Sequence, residues 1–404
     1  MSDSAAFASQ DSHRHHYVAQ WYQRRFLHPD QSKYYYLDLH PERVNKEGHS
    51  YRRTALLHRG PAKCFYEKDL YTIAIGDWAT DEMETKFFRE VDFAGMKAVH
   101  FFAKYRTDTD GARRFFNPLN MLMDAQRFRT PRGLEQFRLL VLAPERNATL
   151  LAMQKLFRFH VTMWGEAVWE IVRARQSRIK FIVSDEPVSF YNRRIFPSES
   201  IYPGQIELDR VGTRTIFPLG LDSCLILTHR QFARNPWGNP LTIRENARSY
   251  AQSLMNFTQI QVDRELEENE VLRVNHILKN RATRFIAAAE KRWLYPEDEV
   301  GRTEWSKIDN DWFLLPNLYK IPFLRESILG FRDGGSIIQD EYGRDPAHPK
   351  FKDNKLRKKE EITHREARRE WAKRRAGKSI AHINNVGQSD QRADSQMYRE
   401  VNSK

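Results

Sequence analysis

The chain has 404 residues, 40% hydrophobic and 12% aromatic, which is enough for a substantial core in one large domain or two ordinary ones and excludes a wholly disordered protein. Lys and Arg number 66 against 53 Asp and Glu, and the formal charge of +13 points to an acidic partner such as nucleic acid, a phosphate-bearing ligand or an anionic surface. The two cysteines, Cys64 and Cys224, form no CxxC pair, which argues against a disulfide scaffold or a zinc knuckle, and no run of about 18 apolar residues offers a membrane span.

Residues 1–12 are small and polar and are expected to form a flexible N-terminal arm. They lack the apolar core of a signal peptide, so the expected location is the cytoplasm. The stretch 14–26, RHHYVAQWYQRRF, is the one around which the chain is organised. As a helix it would place His16, Gln20 and Arg24 on a polar stripe and Val18, Tyr22 and Phe26 on an apolar one. HPDQ then makes a turn, and KYYYLDLHPERV a short strand. KCFYEKDLYTI, after Gly60-Pro61, is a second extended stretch able to pair with the first.

From Asp81 the apolar period becomes helical through Met83, Phe87, Val91, Met96, Val99 and Phe102, to about Tyr105. Asn117-Pro118 is expected to restart the chain, and a helix over 119–128 should end near Arg129-Thr130-Pro131, because proline disfavours helical geometry in the residue before it. Helical spacing continues over 134–142 and 148–175. A short strand follows at 179–183, then the turn SDEPVSFYNRR, and two extended pieces flank Gly220-Leu221-Asp222 within 215–228. Helices are expected at 241–257 and 268–293, the latter burying Val271, Val274, Leu278 and Phe285.

These elements predict an α+β fold, mainly helical with a small β-sheet. It comprises a main domain over 13–295, an irregular appendage over 296–349 and a basic C-terminal tail over 350–404. Residues 350–378 carry 13 Lys/Arg against 5 Asp/Glu, so most of the net charge lies there.

The stretch around His16 resembles the family of unknown function numbered 4238, whose members open with His-Tyr-Val-Pro-Gln-x-Tyr-Leu-Arg-x-Phe. His16, Tyr17, Val18, Gln20, Tyr22, Arg24 and Phe26 match; Ala19 stands for the proline and Gln23 for the leucine. KCFYEKDLYT, QRFRTPR, FIVSDEPV and FPLGLDSCLIL resemble later landmarks in the same order, with Glu186 where the family tends to have asparagine. The resemblance spans roughly residues 15–290 and implies no reaction.

The strongest candidate constellation is His16, Gln20 and Arg24 with Arg129, Arg132, Asp185 and Glu186. Imidazole can move protons or bind a metal, carboxylates can hold Mg or Mn, and arginines can grip phosphate oxygens. The metal ligands would be His16, Asp185 and Glu186, and the function a nucleic-acid-associated, metal-dependent nuclease. The rival is a non-catalytic binding or regulatory protein with a pocket for an anionic ligand. Each residue also has a plainer role: His16 as a structural or surface histidine, Ser184-Asp185 closing a turn, Arg129 joining helices through an interior carboxylate, Cys64 filling the core. No HExxH, GxSxG or GxGxxG pattern is present, Asp333-Gly334-Gly335-Ser336 lacks phosphate-loop spacing, and Gly377-Lys378-Ser379 has Ala372 where the first glycine belongs. In the tail, Lys355, Arg357, Lys358, Lys359, Arg368, Arg369, Lys373, Arg374 and Arg375, with Trp371 for stacking, offer a surface for nucleic acid, or a solvated basic extension. Its few apolar residues argue against membrane binding.

Overall fold

The computed structural model describes residues 14–375 apart from 47–48, 76–77, 143–144, 154–157, 196–206, 246, 248, 250–254, 301–311, 325 and 331–332. The expected arm over 1–12 and the end of the tail, including Gly377-Lys378-Ser379, lie outside the described residues.

A helical run covers Met83–Phe88 and Arg89–Ala103, and packs on the helix Thr109–Phe128. Gly95 permits the close crossing, since a Cβ there would lie 2.8 Å from Cβ of Leu122. The second helix runs through Pro118 instead of restarting at it. Proline removes one backbone donor, but burial of Phe116, Leu119, Leu122 and Met123 on either side outweighs that loss. Asp108 caps the start by accepting from the N–H of Gly111 at 2.8 Å. Thr130 caps the next helix, Pro131–Leu140, in the same way with Gly133.

The expectation of a mainly helical protein with a small sheet is corrected: the fold is α+β, with six sheets among the described residues, two of them substantial. One has five strands in the order Ser189–Tyr191, Arg214–Gly220, Ser223–His229, Ala167–Arg173, Gln261–Glu265, antiparallel except for the last pair. The other is antiparallel, with Val183–Ser184, Phe285–Ala288, Tyr34–Asp38 and Leu56–Arg59 in that order. The helix expected over 148–175 is replaced by Arg146–Met153, Val161–Gly165 and the strand Ala167–Arg173. That strand is buried at all seven positions. Trp169 meets Phe102 and Phe116 of the two long helices, while its neighbour Val168 faces Phe232, Leu315, Leu318, Ala367 and Trp371. With both faces covered, the alternation that marks a half-buried strand disappears from the sequence.

Similar corrections apply elsewhere. The helix Glu268–Arg281 buries Val271, Val274 and Leu278, but Phe285 belongs to a strand. The expected helix over 241–257 is not formed in its described part, where Ile243 bridges Arg210. Tyr34–Asp38 pairs with Leu56–Arg59, whereas Tyr66–Lys68 pairs with Arg14–His16.

The basic tail is, over its described part, a helix, Asn354–Arg375, packed on the five-stranded sheet's second face through Ala367 and Trp371. It is fastened by buried charge. Arg344 donates to Asp340 at 2.5 Å and to Glu360 at 3.1 Å, Arg357 donates to Glu360 at 2.7 Å, and Arg230 donates to Glu341 at 3.1 Å. Residues 340–344, within the expected irregular appendage, therefore link the helix Arg230–Arg234 to the C-terminal one. Trp371→Ala should lower stability by about 3–5 kcal/mol in urea unfolding, the usual range for a large core truncation. An unchanged midpoint would mean that the helix is an appendage.

Candidate anion-binding cleft

The N-terminal stretch is built in three pieces: the strand Arg14–His16, an extended link, and one turn of helix, Gln20–Gln23, tightening into a 3-10 turn, Arg24–Phe26. Its apolar stripe docks as expected, with Val18, Tyr22 and Phe26 buried. Tyr22 stacks on Phe217 at 5.5 Å and donates its hydroxyl to the Pro218 carbonyl at 2.5 Å. Gly220 lies against Arg25, whose carbonyl oxygen would be 3.2 Å from a Cβ there, and the N–H of Leu221 donates to that same oxygen.

The polar stripe does not survive as a helix face. Gln20 and Arg24 do lie together, Arg24 donating to Oε1 of Gln20 at 3.2 Å. His16 is in the strand instead, opposite Tyr66 and tilted over its ring at 5.6 Å. Burial lowers its pKa against the backbone hydrogen bonds it shares with Ala62 and Arg14, so the ring is neutral near pH 7. Strand alternation turns His15 inward, where its Nδ1 accepts from the N–H of Tyr71 at 2.8 Å.

Beside His16 opens a cleft of about 1020 Å³ whose lining includes Arg14, Arg24, Lys33, Arg59 and Lys63, with His28, His58 and Tyr66. Three segments meet there: the helical turn carrying Arg24, the loop His28–Lys33 and the turn following Arg59. One buried side chain joins them. Gln23 donates to the carbonyls of Val18 at 2.6 Å and Cys64 at 3.3 Å, and accepts from the hydroxyl of Tyr34. Gly60 allows the last two segments to touch, since a Cβ there would be 3.0 Å from the carbonyl oxygen of Ser32. None of the lining residues is acidic, and none of the five cations forms an ion pair among the described residues. Arg14 lies 5.4 Å from the centroid of Tyr66, which leaves a cationic and aromatic wall.

The profile of a family described as "protein of unknown function (DUF4238)" matches residues 14–292. The chain belongs to this family. No curated protein and no solved structure matches it. The DUF4238 match takes in the whole cleft and ends before the C-terminal helix.

The other residues singled out in this DUF4238 chain have partners of their own. Asp185 accepts three backbone hydrogen bonds, from Thr283 at 2.9 Å, Arg284 at 2.7 Å and Phe285 at 2.9 Å. Burial and the adjacent Glu186 push its pKa up to about 7 against those three donors. Glu186 accepts from the Thr130 hydroxyl at 2.9 Å and from Arg127 at 3.4 Å. Arg129 is fully buried and clamps both oxygens of Asp92 at 3.0 Å, joining the two long helices, while its carbonyl accepts from the Tyr71 hydroxyl at 2.6 Å. Arg132 is half-buried, in the helix that Thr130 caps. Asp185 and Glu186 are neighbours, and Glu186 accepts from Thr130 beside Arg129, but among the described residues His16 shares no hydrogen-bond partner with either carboxylate. Among the described residues no group of three or more His, Cys, Asp or Glu side chains could hold a metal ion.

The Arg129 cluster has a titratable rim. Burial, with Asp92 and Asp81 near, pushes Glu84 up to about 7 despite Arg129. The folded protein then keeps a proton that the unfolded chain releases, so this contribution is intact below pH 4.5 and is lost as pH rises through 7. Glu84→Gln should therefore be more stable than the parent at pH 8 by about 1 kcal/mol, discounted for partial exposure, with the gain vanishing at pH 4. Thermal melts at both pH values check this. An equal difference at the two would contradict it.

Proposed function

We propose that this DUF4238 protein is a binding protein for a phosphate-bearing anionic ligand, with short single-stranded nucleic acid as its class, held in the Arg14–Arg24–Lys33–Arg59–Lys63 cleft. The observation that carries this reading is the charge of the wall: its lining includes five cations that form no ion pair among the described residues, two histidines and a tyrosine, and no carboxylate. Here cations track a charged backbone and Tyr66 offers an aromatic edge to a base. No helix among the described residues is long and apolar enough to cross a membrane. Both cysteines are buried and free, which fits a reducing compartment, and we place the protein in the cytoplasm.

A metal-dependent nuclease built on His16, Asp185 and Glu186 is the weaker reading. Divalent cations take carboxylate oxygens, whereas both oxygens of Asp185 already accept backbone N–H groups and both of Glu186 accept from side chains. Releasing them would unfasten the edge of the four-stranded sheet and the start of the helix Pro131–Leu140.

Fluorescence anisotropy with a labelled 12-nucleotide single strand, in EDTA, tests the proposal. The parent should bind, inorganic tripolyphosphate should displace the strand, and Arg24→Ala/Lys63→Ala should weaken binding at least about tenfold, or ~1.4 kcal/mol. Equal affinity in parent and variant would overturn the cleft as the binding site. Cleavage of the strand on adding Mg²⁺ or Mn²⁺, lost in Asp185→Asn, would favour the nuclease.

A further inference from the structure

The helix Asn354–Arg375 has two opposed faces. Arg357, His364, Ala367 and Trp371 are buried, at helical positions that fall on one side. Trp371 and Ala367 enter the apolar cluster against the sheet, His364 Nε2 lies 2.9 Å from the carbonyl oxygen of Ile321, and Arg357 donates to the Leu324 carbonyl at 3.0 Å. Arg368 and Arg374 flank this seam, over the rings of Tyr319 and Trp312, and Arg375 lies over Trp371. Arg357, Arg368, Trp371, Arg374 and Arg375, expected from the sequence to meet nucleic acid, have partners within the protein.

The opposite side is different. Lys355, Lys358, Lys359, Ile362, Glu366, Arg369 and Lys373 are all exposed and recur at spacings of three and four, so they share an arc about 100° wide. The five cations form no hydrogen bond or ion pair among the described residues, and Glu366 is the arc's one acid. Lys355 and Lys373 are 18 residues apart, about 27 Å along the axis. We infer that this outer face is a docking surface for the phosphate backbone of a nucleic-acid duplex, distinct from the single-strand cleft.

Two observations favour a duplex over an anionic membrane. A helix that lies in a membrane surface keeps an apolar face for the lipid, whereas here that face is spent on Trp371 and Ala367 and only Ile362 is apolar on the outside. The Arg344–Glu360–Arg357 links also hold the helix in place. A fixed line of positive charge suits a stiff polyanion that carries one negative charge per about 1.7 Å of its axis.

Binding of a 20-base-pair duplex, measured by anisotropy over a series of salt concentrations, tests this on the full chain. Replacing Lys355, Lys359, Arg369 and Lys373 by Ala should weaken binding and flatten the slope of log affinity against log salt by about 3–4, since each phosphate contact contributes roughly −0.9. All four are exposed and alanine favours helix, so the melting curve should match the parent's. If it does not, Lys355→Gln/Lys373→Gln should still flatten the slope by about half as much. A control with equal charge loss elsewhere, Lys97, Lys104, Arg106 and Arg114 to Ala, should keep the parent slope, as should Arg24→Ala/Lys63→Ala. An unchanged slope in the helix variants, an equal loss in the control, or loss of binding to phosphatidylserine vesicles with duplex binding intact would each overturn the inference. The single-strand assay on the helix variants reads the cleft separately, so failure of one surface is not failure of the other.

Discussion

The cleft depends on the side chain of Gln23. It is fully buried, yet each of its amide hydrogens and its oxygen has a partner: the Val18 carbonyl in its own segment, the Cys64 carbonyl after the Pro61–Lys63 turn, and the Tyr34 hydroxyl on the strand Tyr34–Asp38 of the four-stranded sheet. A leucine of similar size could fill the space but would leave three buried polar groups unpaired, each costing about 1–3 kcal/mol. The constraint fixes Arg24 on one wall relative to Arg59 and Lys63 on the other. A basic surface thus becomes a cleft with a defined shape.

Elsewhere the molecule sorts its charge by burial. Arg129, Arg230, Arg344 and Arg357 are buried and each is held by a carboxylate, because an unpaired charge inside the protein would cost several kcal/mol. Asp185 is held by three backbone N–H groups in the same spirit. These groups fasten helix to helix and sheet edge to loop. Among the described residues, two surface concentrations of cations without an ion pair stand out: the cleft and the outer face of the C-terminal helix. Among the described residues, these two surfaces gather cations that form no ion pair within the fold and so remain available to an acidic partner.

Much of this was legible in the sequence where one local rule decided the outcome. The helical period over 83–103, the end of a helix at Phe128 just before Thr130-Pro131 and the hairpin on either side of Gly220 are local signals, and so is the burial of Val18, Tyr22 and Phe26. The strand Ala167–Arg173 was not, because covering both faces removes the period that distinguishes strand from helix. Trp371 and Arg357 sit in a run whose charge suggested solvent, and only the sheet and the residues of 340–344 that cover them reveal a packed helix. For the site, Arg24 and its partner Gln20 were marked by the motif. Lys33, Arg59 and Lys63 were not, because ordinary surface cations become a wall only when Gln23, Gly60 and Tyr34 bring three loops together. His16, Asp185 and Glu186 carry the residue types of a metal site, but the groups that hold the two carboxylates come from distant parts of the chain, Thr283 to Phe285 for Asp185 and Arg127 and Thr130 for Glu186.

The most direct measurement is the position of phosphate groups in a crystal structure of the protein with a short single-stranded oligonucleotide. The expected result is phosphate groups within hydrogen-bonding reach of Arg24, Arg59 and Lys63, with the backbone passing Tyr66 and with Asp185 still bonded to Thr283, Arg284 and Phe285. An oligonucleotide bound with its phosphates at Asp185 and Glu186, and the cleft holding none, would contradict it.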